Sequence, residues 1–234
     1  MTLPEIKWER TLERSRTDIW NLMFDAEAAR TWLGVAGYVM PEQQGAAFCW
    51  LFDTGSPKPT AFTGRLTTIK PQQHIEMQWE LASCAADTRL IWEFHETGEE
   101  RTTVVLRHAD FPDSGLGPFE HDGYAHHWGH ILDGLQAYAN GEPRDTLHRH
   151  GAMLGLIPVG AAPDHGLLVK EIIRDSPAEH AGLRPGDYIR SANDTVIRCF
   201  DDWDDWIDQR VPGETVRLQL ADRVIEVVLG EWRR

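Results

Sequence analysis

Hydrophobic and polar positions along the chain change period several times, and each change marks an element. Ile6 to Leu12 reads as a short strand. "SRTDIWNLMF" then places Ile19, Trp20, Met23 and Phe24 on one helical face, with Ser15 as N-cap. The period next falls to two. "AAFCWLF" lies between Gly45 and a Gly55-Ser56-Pro57 turn, and "TAFTGRLTTIKP" alternates Phe62, Gly64 and Leu66 with Thr63, Arg65 and Thr67. "HIEMQWEL" sets Ile75, Met77, Trp79 and Leu81 against Glu76, Gln78 and Glu80. "RLIWEFH" puts Leu90, Trp92 and Phe94 on one face, and "TTVVLRH" ends at His108. This alternation predicts an antiparallel sheet with one dry and one wetter face.

The stretch "HDGYAHHWGHILDGLQAYANG", His121 to Gly141, returns to a helical period. At about 100° per residue, Tyr124, Trp128, Ile131, Leu132 and Leu135 form one stripe. His126 and His130 lie one turn apart and roughly opposite it, with His127 at the flank. Zinc requires three or four converging ligands, and no HExxH spacing places a carboxylate between these histidines. A solvated helix face is therefore expected here, with no metal and no cofactor.

"NGEPRDTLHRHGA" carries Gly, Pro and charge without apolar period and reads as a linker, expected over 142–152. It divides the chain into a first domain, 1–141, and a second, 153–234. The formal charge of −14 argues against nucleic acid and against anionic membrane surfaces as partners. The opening "MTLPEIKWERTLERS" lacks a signal-peptide pattern, and no apolar run is long enough to span a membrane. Cys49, Cys84 and Cys199 are odd in number and in no CxxC spacing, which fits reduced thiols in a cytoplasmic protein. Seven of the ten tryptophans precede residue 130, so the first domain has an aromatic interior to explain.

The order "TDIWNLMFDAEAARTWL", "GRLTTIKPQQHIEMQW", "TTVVLRHADF" and "WGHILDGLQAYANG" resembles the helix-grip, START-like superfamily. The likeness is to its branch related to the activator of Hsp90 ATPase and covers roughly 5–141. Trp128-Gly129 departs from the Gly-Trp order common at the start of the last helix. The resemblance implies a curved antiparallel sheet around a long C-terminal helix, with space between them for an apolar small molecule. Trp50, Phe62, Trp79, Trp92, Phe94 and Trp128 are the expected lining of that cup. The same aromatics equally suit plain core filling, because each buries a large area.

In the second domain "SPAEHAGLRPGD", Ser176 to Asp187, resembles a PDZ domain of the bacterial, protease-associated type, with the likeness running over roughly 151–231. Ser176 suits an N-cap, Pro177 the first helical position, and Gly182 and Gly186 two positive-φ turns. Asp187 is placed to bond turn amides, and Asn193-Asp194 to form a tight turn. The resemblance implies capture of a protein C-terminal tail or extended peptide by strand addition. The carboxylate loop falls on Met153, Leu154 and Gly155, the receiving strand on Leu156, Ile157, Pro158 and Val159, and the opposing wall on Trp203, Trp206 and Ile207. Arg149 adds charge upstream. Pro158 removes a ladder donor, and Trp203 or Trp206 can fill the pocket from within.

The fold class is therefore α+β: a helix-grip antiparallel sheet with a long C-terminal helix, followed by a small β-barrel-like PDZ domain. A non-catalytic binding or adaptor protein is expected, with no catalytic residue assigned. The alternatives are a cyclase- or hydrolase-like enzyme acting in the cup and a co-chaperone of the Hsp90 type. An enzyme needs convergent ionisable groups, and the strand residues Glu80, Arg89, Glu93, His95, Arg107 and His108 are the candidates.

Overall fold

The computed structural model describes residues 1–52, 59–142 and 151–231. The Gly55-Ser56-Pro57 turn, most of the expected linker and Arg149 lie outside the described residues. The chain folds as two compact units: Met1–Gly115 with His127–Leu147, and Leu116–His126 with His148–Arg234.

The first unit begins with β1 (Ile6–Leu12), α1 (Arg16–Leu22) and α2 (Ala26–Trp32). Ser15 caps α1 by accepting from Asp18 N, and Asp25 caps α2 by accepting from Glu27 N and Ala28 N. The strands β2 (Gly37–Val39), β3 (Ala47–Phe52), β4 (Thr60–Lys70), β5 (His74–Leu81), β6 (Ala86–Gly98) and β7 (Arg101–Ala109) follow. They form one antiparallel sheet in the order β1-β7-β6-β5-β4-β3-β2. In β5 the expected alternation holds: Ile75, Met77, Trp79 and Leu81 are buried, and Gln78 and Glu80 exposed. Gly64 is required where β4 meets β5 and β3, since a Cβ there would lie 1.9 Å from Gln78 O and 2.7 Å from the Phe48 ring.

The long helix α3 (Gly117–Ala139) contributes its C-terminal part to this unit. It is tied to β1 and the segment after it by Arg10 to Asp133 at 2.7 Å, Gln136 Nε2 to Thr11 O and Arg14 Nε to Ala139 O. At Trp128-Gly129, the small residue meets Trp8: a Cβ on Gly129 would sit 3.3 Å from that ring.

The second unit contains β8 (Ala152–Met153), β9 (Leu156–Ala162), β10 (Gly166–Ile172), α4 (Pro177–His180), β11 (Tyr188–Ala192), β12 (Thr195–Val196), α5 (Phe200–Asp208), β13 (Thr215–Leu220), β14 (Val224–Val228) and β15 (Gly230–Glu231). The main sheet runs β14-β13-β11-β10-β9, so β9 is an edge; β12 pairs with β11, and β8 with β15. The expected turn chemistry is present. Ser176 accepts from Glu179 N, Pro177 opens α4, Gly182 and Gly186 have φ of +80° and +90°, and Asp187 accepts from Arg184 N. Among the described residues, no helix is long and apolar enough to cross a membrane.

Candidate functional sites

In the first unit, Trp50, Trp79, Trp92, Phe94 and Trp128 are buried and Phe62 is partly exposed. Trp79 is the hub, with ring centroids 5.2 Å from Trp50, 5.5 Å from Phe62 and 5.7 Å from Trp128. Trp92 meets Trp128 edge-on at 6.2 Å, and Phe94 packs on Trp20 at 5.5 Å. These separations are those of aromatic pairs in direct contact. The indole N–H groups of Trp50 and Trp92 are buried with no hydrogen-bond partner among the described residues. Such orphans are uncommon in interiors because each forfeits the hydrogen bonding it had in water.

A polar thread crosses this apolar interior. Trp128 Nε1 donates to His108 Nδ1 at 3.0 Å. The indole nitrogen is only a donor, so Nδ1 is unprotonated and the His108 proton resides on Nε2. Nε2 lies 2.7 Å from Thr88 Oγ1, and that hydroxyl donates onward to Trp79 O at 3.3 Å. His108 is thus held as a neutral tautomer, and a second ring proton would face the indole N–H. The thread pins α3 to β7, β6 and β5. Sequence reasoning finds His108 only as one of six strand ionisables: alternation turns Glu80, Arg89, Glu93 and His95 away from the apolar face, but the run TTVVLRH does not mark whether Arg107 or His108 turns inward.

Of those six, His108 alone is buried. Arg89 pairs with Asp110 at 3.0 Å, and that hydrogen bond raises its pKa further. Arg107 pairs with Glu93 and Glu5, His95 approaches Glu93, and Glu80 accepts from Thr63. Most of these pairs lie across or beside the strands on the wetter face, and none of them brings another of the six to His108. A general acid or base needs a free proton site within reach of a substrate, and both nitrogens of His108 are engaged.

In the second unit, Leu154, Trp203, Trp206 and Ile207 are buried, while Met153, Leu156, Ile157 and Val159 are partly exposed. Trp203 and Trp206 pack at 5.3 Å within the core beneath the sheet. Gly155 has φ +86°, and a Cβ would lie 2.2 Å from Ser176 Cβ, so the turn admits only glycine. Its carbonyl accepts from Ile173 N at 2.9 Å and Ser176 Oγ at 3.1 Å, and the Leu154 carbonyl accepts from Ala178 N at 2.8 Å. Pro158 lies across from Val169 between two register shifts. There Val169 donates to Asp187 O and accepts from Gly186 N, so its own polar groups are met elsewhere.

The first turns of α3 belong to this unit. Asp122 Oδ2 accepts from Ala161 N at 2.8 Å and from Phe200 N at 2.9 Å. Burial raises the Asp122 pKa, against the pull of those two amides. The helical period predicts a wet face for His126, and the structure corrects this. Its side chain is 6% exposed, stacked on Phe200 at 4.3 Å and paired with Asp201 and Asp204. The period assigns its direction correctly relative to Trp128. It does not reveal that α5 covers it.

Two solved structures share the fold of a stretch somewhat longer than half of this chain. A Mesorhizobium loti protein, MLL2253, matches at 14% identity and TM-score 0.51, over 59% of this chain and 98% of its own. The Bordetella parapertussis protein encoded by BPP1335 matches at 22% identity and TM-score 0.50, over 62% of this chain and 79% of its own. No curated protein shows significant sequence similarity to the chain. A PDZ domain model matches residues 168–222. The model described as activator of Hsp90 ATPase homolog 1-like protein matches residues 13–140. The curled antiparallel sheet gripping α3 and that match, which spans more than half of the sequence, together make the chain a member of the activator of Hsp90 ATPase homolog 1-like family, here joined to a PDZ domain.

Proposed function

We propose that the protein is a non-catalytic adaptor that binds an extended protein tail in its PDZ unit and an apolar small molecule or client segment in its START-like unit. The observation carrying this reading is the Gly155 turn at the head of edge strand β9. Its neighbouring carbonyls are tied inward by Ala178, Ile173 and Ser176, and Met153 is paired with Gly230, so the amides of Leu154–Leu156 are the groups offered to a terminal carboxylate. Met153, Leu154, Gly155, Leu156, Ile157 and Val159 form the receiving side, and α5 with Trp203, Trp206 and Ile207 supports the opposite wall. In the first unit, the orphaned indoles of Trp50 and Trp92 favour a guest that carries an acceptor on an apolar body. The ring contacts around Trp79 must part to admit it. A co-chaperone role has only the family description behind it.

Two probes test the two halves. A fluorescein-labelled peptide with a free apolar C-terminus is expected to bind saturably, and its C-amidated form to bind much more weakly. Equal behaviour of the two peptides counts against carboxylate capture. N-phenyl-1-naphthylamine, an uncharged aromatic probe, is expected to quench tryptophan emission saturably. Emission unchanged at every probe concentration counts against the cup.

A further inference from the structure

The edge of β9 already has an occupant, and it comes from the chain itself. Phe119, Asp122, Gly123 and His126 fall at i, i+3, i+4 and i+7 on α3, which is one helical face. All four meet the strands and α5 of the second unit, to which this part of α3 belongs. Phe119 packs with Ala162 and Leu168, its ring 5.7 Å from Tyr188. Gly123 lies against Val159, where a Cβ would come within 2.2 Å of the carbonyl oxygen. Gly160 answers from the strand, where a Cβ would meet Phe119 O at 1.8 Å. His126 stacks on Phe200, the first residue of α5. Two glycines facing each other allow a helix backbone and a strand backbone to approach this closely.

Asp122 is the decisive contact. A tail adding to β9 would place a backbone carbonyl at Ala161 N. Asp122 Oδ2 takes that hydrogen bond, and the same oxygen takes Phe200 N at the start of α5. One carboxylate thereby bridges both walls of the groove at the end away from the Gly155 turn. Gly123 has a cost as well, because glycine inside a helix is less favourable than alanine. Helix stability does not explain it, whereas the Val159 carbonyl does.

We infer that the first turns of α3 are a built-in ligand of the PDZ groove, which an incoming tail must displace from Val159–Ala161 before it can pair along β9. This rests on reading the groove as a peptide site. Near the Gly155 turn, Leu156 and Ile157 precede the covered stretch, so a tail meets the helix only after its terminus is seated. Capture of a tail and release of the first turns of α3 are thereby linked.

The test uses the full chain as wild type, Asp122→Ala and Gly123→Ala, each checked by far-UV circular dichroism; Asp122→Asn serves if either fails to fold. Hydrogen exchange is followed at Ala161 and Phe200. Binding is followed with a fluorescein-labelled peptide ending Leu-Leu-Val with a free carboxylate and long enough to pass Ala161. Exchange at both amides is expected to speed up in Asp122→Ala, and the peptide to bind the variants roughly tenfold tighter than wild type, the equivalent of one or two hydrogen bonds no longer displaced. Equal affinity for all proteins overturns the built-in ligand and leaves peptide recognition standing. Binding to none, with exchange still accelerated in Asp122→Ala, overturns peptide recognition and with it the competition.

Discussion

The interior of the first unit and the strand edge of the second are closed by opposite means. In the START-like unit the interior is filled by aromatic rings in mutual contact around Trp79, with one polar thread through His108. In the PDZ unit the strand edge is covered by one helix face, through Asp122, a stacked His126 and one apolar anchor, Phe119. Burial of rings has little directionality and yields only when many contacts part together. A cover held by a bridging carboxylate depends on a few oriented bonds, and a competing backbone carbonyl can replace them. The same chain thus closes its first unit as a core and the edge of β9 as a latch.

The contrast is sharpest where it is easiest to break. Trp79→Ala removes the hub, and such truncations cost about 3–5 kcal/mol. Denaturant unfolding monitored through the remaining tryptophans should show that loss in the first unit, with hydrogen exchange in β13 unchanged below global unfolding. A loss under about 1 kcal/mol, far below the range for a packed aromatic, would mean that Trp79 borders open space.

Thr88→Val is the next step down. It keeps the shape and leaves His108 Nε2–H facing a methyl group, at a cost of about 1–3 kcal/mol for an unmet buried donor. The same denaturation measurement checks it, and a neutral result would show that the His108 thread does not hold α3 to the sheet.

The smallest expected effect is a pH dependence in the latch. Burial pulls the His126 pKa down, but the hydrogen bonds and charges of Asp204 and Asp201 outweigh it, so the pKa lies above its ordinary 6.5. A raised pKa means that the folded state holds the proton more tightly than the unfolded chain does. The contribution is complete below 6.5 and is lost as pH rises through the folded value. His126→Gln should therefore destabilise the second unit more at about pH 6 than at about pH 9, read as the difference in urea midpoint between variant and wild type. A difference that grows with pH would contradict the ion pairs with Asp201 and Asp204.

Much of this is legible in the sequence because period is a local property. Alternation in "HIEMQWEL" places Trp79 inward whatever the fold, and the "SPAEHAGLRPGD" run states its cap, helix and turns within a dozen residues. The aromatic lining is legible for the same reason. Whether those rings face a guest or one another is not, because packing distance depends on partners far apart in the chain. His108 and His95 lie in neighbouring strands and carry the same side chain, yet one is fully buried and the other exposed. The alternation of RLIWEFH already turns His95 outward, whereas TTVVLRH is apolar on both faces, so the side taken by His108 follows from the pairing of β7.

By itself the sequence determined the elements, their apolar faces and the turn chemistry, since each rests on residues within one or two helical turns or strand periods. Only the tertiary structure decided that Asp122 would meet Ala161 and Phe200, 39 and 78 residues away, and that Gly123 would be needed against Val159. A helix face shows what it can bury but not against what. That choice belongs to chain segments whose proximity no local pattern encodes.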